Sequence, residues 1–172
     1  MFRLLQSTSF GANAGVQDDD ILVCGLIDAV ALDGGGVDVT ETDACGRNRL
    51  WWACYKGLDA VALQLLDIGG VDVDAKCSTD GCNALWWACS KGLDAVALRL
   101  LDIGGVDVDA KDSTNGTNVL YWACAKGLGA VAMRLLDIGG VDVDVKDSVT
   151  GTTPLYWACV KGFDKLAMRL LL

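Results

Sequence analysis

Residues 151–162 read Gly151-Thr-Thr-Pro-Leu-Tyr-Trp-Ala-Cys-Val-Lys-Gly162, and three close copies of this phrase precede it at intervals of 35 residues. Residues 46–80 and 81–115 match at 29 of 35 positions, and residues 81–115 and 116–150 match at 26 of 35. Self-similarity at a fixed period of this length is the signature of a repeat architecture. Each copy is one structural unit, and we expect the units to stack side by side.

Each unit contains start and stop signals for two short helices. The first helix is preceded by a good N-cap residue, whose side-chain oxygen accepts a free backbone N–H, at Asn48, Asn83, Asn118 and Thr153. It is predicted to end at a left-handed glycine, at Gly57, Gly92, Gly127 and Gly162. We expect the second helix to be capped by Asp59, Asp94 and Asp164. Residues 71–75 alternate valine and aspartate, which predicts an extended arm, and a turn follows.

These signals divide the chain into an N-terminal segment and an array. We expect residues 1–20 to be poorly ordered and residues 21–172 to form the array. The predicted units are a degenerate half-unit at 21–45, full units at 46–80, 81–115 and 116–150, and a truncated unit at 151–172. Neither helix of a unit is long enough to be stable alone, so the apolar faces must be buried by stacking.

The units resemble ankyrin repeats. The family's core phrase, Gly-x-Thr-Pro-Leu-His-x-Ala-Ala-x-x-Gly, is nearly reproduced at residues 151–162, and its closing phrase, Gly-Ala-Asp-Val-Asn-Ala, is similar to residues 70–75. The resemblance covers residues 21–172 and implies an all-α solenoid of stacked helix-turn-helix units with projecting hairpin-like loops. Two departures are the period of 35 instead of 33 and the loss of the family's histidine. Its place is taken by Trp51, Trp86, Tyr121 and Tyr156, so the histidine's hydrogen bond is either lost or remade by an indole or phenol.

Composition excludes several classes of function. Histidine is absent, which removes the commonest general base and the usual partner of a nucleophilic serine or cysteine. The formal net charge of −9 argues against binding to nucleic acid or to an anionic membrane. We therefore predict a protein that is not an enzyme and that requires no cofactor.

The cysteines and the tryptophans recur with the units. Cys54, Cys89, Cys124 and Cys159 share one unit position, which is typical of small buried hydrophobes and predicts free thiols in an intracellular, cytoplasmic location. An organelle transit peptide at the N-terminus is the alternative. The tryptophans Trp52, Trp87, Trp122 and Trp157 are predicted to fill the space between adjacent helices, with a ligand-stacking ladder as the weaker alternative.

No metal site is expected. Equivalent cysteines in stacked helices lie about 8–10 Å apart, too far to share an ion, and Cys77 with Cys82 lacks two further ligands. The aspartate pairs Asp72/Asp74, Asp107/Asp109 and Asp142/Asp144 lack the spacing of a calcium loop and are predicted to be solvated.

Two lysine rows and one variable position are the candidate partner-binding residues. The first row, just before the helix-ending glycine, is Lys56, Lys91, Lys126 and Lys161, and the second, beside the arms, is Lys76, Lys111 and Lys146. The residue before the first row varies between units, as Tyr55, Ser90, Ala125 and Val160. The ankyrin resemblance places the first row on the concave face. The alternative is that these lysines only complement the helix dipole.

Two functions remain open. The first is a non-catalytic scaffold that binds a protein partner, with an acidic segment, on the concave face and loop tips. The alternative is a targeting or regulatory array of a larger enzyme or channel, of which this chain is a fragment. We also expect self-association through the last unit, where an apolar stripe is predicted at Leu166, Leu170, Leu171 and Leu172.

Overall fold

The computed structural model describes residues 38–172, which form eight α-helices in four consecutive pairs. The first helices of the pairs are α1 (Arg49–Lys56), α3 (Ala84–Lys91), α5 (Val119–Lys126) and α7 (Pro154–Val160). The second helices are α2 (Asp59–Ile68), α4 (Asp94–Ile103), α6 (Gly129–Ile138) and α8 (Asp164–Leu170). Within residues 38–172 there is no strand, and extended pairing is limited to two isolated bridges, Thr42 with Asn48 and Lys111 with Asn118. The predicted all-α class is confirmed.

The expectations for the N-terminus lie outside the described residues. They concern the predicted segment 1–20, the transit-peptide alternative and residues 21–37 of the degenerate half-unit.

The first helices begin where the sequence predicts, and three of them end at the predicted glycine, whereas α7 ends at Val160 with Lys161 as its C-cap. The Asn48 side chain accepts a hydrogen bond from the Trp51 backbone N–H at 2.9 Å, and Asn83, Asn118 and Thr153 cap their helices in the same way. Helix α1 ends at Gly57, whose φ of 74° is left-handed and therefore favours glycine. The next N–H, of Leu58, returns to the Ala53 carbonyl at 2.9 Å. This closure turns the chain straight into the second helix.

The predicted caps of the second helices are wrong. Asp59, Asp94 and Asp164 are the first residues inside α2, α4 and α8, and the N-cap positions belong to Leu58, Leu93 and Phe163, which make no side-chain cap bond. The cause is the length of the turn. A single residue after the glycine both closes the first helix and opens the second, so the aspartate already lies in the first helical turn, where its charge interacts favourably with the helix dipole.

The helices form two layers that run along the array. Each first helix contacts the neighbouring first helices, each second helix contacts the neighbouring second helices, and the two helices of a pair contact each other. The core lies between the layers and repeats with the unit. The fully buried leucines are Leu50, Leu85 and Leu120 from the layer of first helices and Leu100 and Leu135 from the layer of second helices. Burial of a leucine side chain contributes about 1.5–3 kcal/mol, and stacking of neighbouring units supplies part of this burial.

The arm at residues 71–75 is a turn rather than an extended segment. Residues 73 and 74 form the turn, and the Asp74 backbone N–H bonds to the Asp72 carboxylate at 3.0 Å. An aspartate side chain that accepts a hydrogen bond from the backbone N–H two residues later forms a turn in place of the extended arm that the alternation predicted. The projecting loops then stack on one another, because the Ser78 N–H donates to the Cys45 carbonyl at 2.8 Å and later units repeat this bond.

The last unit differs from its predicted surface. Leu166 is 2% exposed, because it packs into the core, and Leu170 is half-buried. Leu171 and Leu172 are exposed, as are Tyr156 and Val160 on α7. Cys159 is also exposed, whereas the equivalent Cys54, Cys89 and Cys124 are buried by the unit that follows each of them.

Candidate functional site

The aromatic residues at the histidine position bond to the next unit. The Trp51 indole N–H donates to the Cys82 carbonyl at 2.9 Å, and the Trp86 indole N–H donates to the Thr117 carbonyl at 3.0 Å. Tyr121 is shorter, and its hydroxyl instead pairs with the Thr152 hydroxyl at 2.9 Å. The hydrogen bond is thus remade by indole and phenol, and it fixes each unit against the next.

The second tryptophan of each phrase lies at the edge of the core. Trp52 is buried, but Trp87, Trp122 and Trp157 are only half-buried. The Trp87 and Trp122 rings meet the preceding unit edge-on, with centroid distances of 5.5 Å between Trp51 and Trp87 and 5.6 Å between Trp86 and Trp122. The predicted packing role therefore holds in part, since one edge of these rings remains at the surface.

The first lysine row lies against these rings. The Lys91 ammonium is 5.6 Å from the Trp87 ring centroid and 5.4 Å from that of Tyr55, and the Lys126 ammonium is 5.7 Å from that of Trp122. Lys56 makes the same contact with the Tyr55 ring at 5.5 Å. Among residues 38–172 no carboxylate lies within ion-pair distance of Lys56, Lys91, Lys126 or Lys161. All four are exposed, so three of them combine a solvated cation with an aromatic ring.

The second lysine row is engaged between units. The Lys76 ammonium bonds the Asp107 carboxylate of the next unit at 2.7 Å and lies 3.5 Å from Asp74 of its own unit. Lys111 repeats this arrangement with Asp142 at 2.8 Å and Asp109 at 3.5 Å. The hydrogen bond between the two side chains is the main reason that the pKa of Lys76 is raised and the pKa of Asp107 is lowered. Lys146, in the last of these arms, is exposed and makes no ion pair within the described residues.

The aspartate pairs lie in partly solvent-exposed loops, as predicted, but four of their carboxylates also join successive units. The Asp74 carboxylate accepts the Asp107 backbone N–H at 2.8 Å and the Asn83 amide at 2.9 Å, and Asn83 also donates to the Asp107 carbonyl at 2.9 Å. Asp109, Asn118 and Asp142 repeat this arrangement one unit later. The capping asparagine is therefore also the centre of the contact between successive loops. Within residues 38–172 no cluster of three or more ligand side chains could hold a metal ion.

The variable position faces the same surface as the first lysine row. Tyr55 is half-buried and stacks on Trp51 at 5.2 Å, while Ser90 and Ala125 are half-buried and Val160 is exposed. The structure thus brings this position together with Lys56, Lys91, Lys126 and Lys161. We name the residues of this group together with Trp87 and Trp122 the first-helix surface.

The buried thiols are unreactive. Desolvation by burial raises the pKa of Cys124 to about 12, and it raises those of Cys54 and Cys89 further. A thiol must ionise to act as a nucleophile or a metal ligand, so these cysteines serve as small core residues. The seven cysteines within the described residues are all free.

The comparison with family models agrees with this geometry. A model described as ankyrin repeats in three copies matches residues 20–112 and 97–172. The chain belongs to the ankyrin-repeat family, whose members typically act as non-catalytic scaffolds and mediate interactions between proteins. No curated protein matches the chain. In the part that the structure describes, no helix is both long and apolar enough to cross a membrane.

Sequence reasoning missed Trp87 and Trp122 as surface residues. Both were assigned mainly to packing, with a ligand-stacking ladder as the weaker alternative, although each precedes a first-row lysine by four positions. Residues four apart on a helix are neighbours, so this spacing carried the signal for a ring beneath an ammonium group. What the spacing does not show is that these rings remain partly exposed.

Proposed function

We propose that this chain is a non-catalytic protein-interaction module whose first-helix surface binds an acidic segment of a partner protein. The observation that supports the proposal most strongly is the contrast between the lysine rows. Lys76 and Lys111 each pair with two aspartates of the array, whereas Lys56, Lys91 and Lys126 pair with none within residues 38–172. In a chain of net charge −9, these are three exposed cations that no described carboxylate approaches within ion-pair distance, and they supply positive charge to the first-helix surface.

The spacing of these lysines suits an extended acidic ligand. Neighbouring helices lie about 8–10 Å apart, and a polyproline-type segment advances about 9 Å in three residues. An acidic side chain at every third residue would meet successive lysines. Aspartates that lie farther than about 8 Å from these lysines weaken this attraction little, because exposed charges are screened beyond that distance at physiological ionic strength. We include Lys146 and the tips of the projecting loops in the proposed contact.

An intracellular, cytoplasmic location is part of the proposal. Seven free cysteines within the described residues suit a reducing compartment, where thiols persist. The alternative function, a targeting array of a larger enzyme or channel, would use the same first-helix surface, so it predicts the same ligand chemistry.

The experiment compares two triple variants of equal charge. Lys56→Gln, Lys91→Gln and Lys126→Gln together remove the first-row cations, while Arg99→Gln, Arg134→Gln and Lys165→Gln remove three cations from the second helices. Glutamine already occurs at the unit position that Arg99 and Arg134 share, since Gln64 occupies it in the first full unit. The probe is a decaglutamate peptide, titrated by calorimetry at two salt concentrations.

We expect the first-row variant to bind decaglutamate at least about tenfold more weakly, with a shallower salt dependence, and the control to bind within about twofold of the parent. Equal losses in both variants would show that the peptide senses net charge rather than this surface, and the proposal would then be wrong.

A further inference from the structure

The boundary between the first two full units contains an aromatic ring that the next boundary lacks. The Tyr55 ring meets the Trp87 ring edge-on at 4.7 Å, with an interplanar angle of 88°. The Lys56 and Lys91 ammonium groups lie 5.5 Å and 5.4 Å from the Tyr55 ring centroid. Tyr55 thus stacks on Trp51 of its own unit, lies near two cations and contacts a tryptophan of the following unit.

The surroundings of this ring are repeated one unit later. Trp122 lies 5.6 Å from Trp86, as Trp87 lies 5.5 Å from Trp51. Lys126 lies 5.7 Å above Trp122, as Lys91 lies 5.6 Å above Trp87. The one ring contact that Trp122 lacks among the described residues is the counterpart of Tyr55, because Ser90 stands there.

Serine cannot replace a phenol at this position. Its side chain ends one atom beyond the β-carbon, whereas an aromatic side chain buries about 150–250 Å². The place that the Tyr55 ring fills at the first boundary therefore holds no ring at the second, where the residues at the equivalent positions are Ser90, Lys91, Trp122 and Lys126. We refer to these four residues as the Ser90 notch.

We propose that the Ser90 notch binds an aromatic side chain of the partner, a tyrosine or phenylalanine within the acidic segment. This inference rests on the proposed function and specifies its ligand. The chain itself shows what fits, because Tyr55 occupies the equivalent place between the same residue types. An edge-on contact with Trp122 and two flanking ammonium groups favours the face of an aromatic ring over an aliphatic side chain of equal size. Carboxylates on either side of that ring would meet Lys91 and Lys126.

The experiment uses two pentapeptides, acetyl-Glu-Glu-Tyr-Glu-Glu-amide and its leucine counterpart, titrated into labelled protein while the Trp122 indole N–H is followed by NMR. We expect the tyrosine peptide to bind about fivefold more tightly than the leucine peptide. Ser90→Tyr places the chain's own ring in the notch and should lower the affinity for the tyrosine peptide to that for the leucine peptide. Tyr55→Ser opens an equivalent notch at Trp87 and should add a second site of similar preference.

The two variants guard against a failure to fold, since each residue already occurs at this position in a neighbouring unit. Equal binding of both peptides, unchanged by Ser90→Tyr, would overturn the notch while leaving the lysine surface intact. Absence of any pentapeptide binding would also overturn it, and the proposed function would still be judged separately by decaglutamate and the triple lysine variant.

Discussion

The Trp87 indole N–H is buried without a hydrogen-bond partner within the described residues, and a single substitution should provide one. One unit later, the Trp122 indole N–H donates to the Thr117 hydroxyl at 3.1 Å. The residue equivalent to Thr117 is Cys82, which is 1% exposed and whose thiol is a poor acceptor. Cys82→Thr should therefore recreate the bond beside Trp87.

The expected gain follows from the cost of an unpaired donor. A typical hydrogen bond contributes about 0.5–1.5 kcal/mol net, and a buried polar group left unpaired costs about 1–3 kcal/mol. We expect Cys82→Thr to raise the free energy of unfolding by about 1 kcal/mol, which corresponds to a melting temperature about 2–4 °C higher for a chain of this size. The control is Cys82→Val, which has nearly the shape of threonine without the hydroxyl. The reverse change, Thr117→Cys, should lose a similar amount.

Urea unfolding followed by tryptophan fluorescence measures these differences, and hydrogen exchange of the Trp87 indole N–H reports the bond directly. Burial of a hydroxyl is ordinarily unfavourable relative to a methyl group, so the order of the two variants is diagnostic. If Cys82→Val is as stable as Cys82→Thr or more so, the unpaired indole does not limit stability and the reasoning is wrong.

Three further predictions concern the contacts between units. Stability should fall as the pH drops below about 4, because Asp107 and Asp142 have pKa values lowered in the fold, and protonating them removes their bonds to Lys76 and Lys111; urea midpoints across a pH series test this. Asn83→Ala should lower the free energy of unfolding by more than the roughly 1 kcal/mol of a simple cap, because Asn83 also joins two loops. Asp94→Ala should lower it by only a few tenths of a kcal/mol, since Asp94 caps nothing, and thermal unfolding of both variants measures the difference. Gly129→Ala should stabilise α6 by up to about 1 kcal/mol, because a β-carbon there would meet Phe163 at 3.4 Å, an ordinary contact, and urea unfolding measures the gain.

Local signals in the sequence predicted most of the fold correctly. The caps at Asn48, Asn83 and Asn118 and the glycines that end α1, α3 and α5 act within one helical turn, so their residue types suffice to place them. The second helices were misjudged by one residue, because the Leu58 backbone closes one helix and opens the next at once. That overlap depends on the geometry of the turn and not on a residue preference.

The candidate surface was predicted less completely than the fold. The sequence identified both lysine rows, and the spacing of Trp87 and Lys91 carried the signal for their contact, but it could not tell that Lys76 is held by Asp107. Lys76 and Asp107 are separated by 31 residues and join two units, whereas Trp87 and Lys91 make a neighbour contact within one helix. A pattern read along the chain detects only the second kind.

The sequence by itself determined the period, the all-α class and the boundaries of the first helices, because these follow from side chains acting on the nearest backbone. Only the tertiary structure decided which polar groups pair and which remain at the surface. The bonds of Trp51 to the Cys82 carbonyl and of Asp74 to the Asp107 N–H span 31 and 33 residues. Their formation depends on the offset between stacked units, and that offset is set by the packing of the whole core rather than by any one segment.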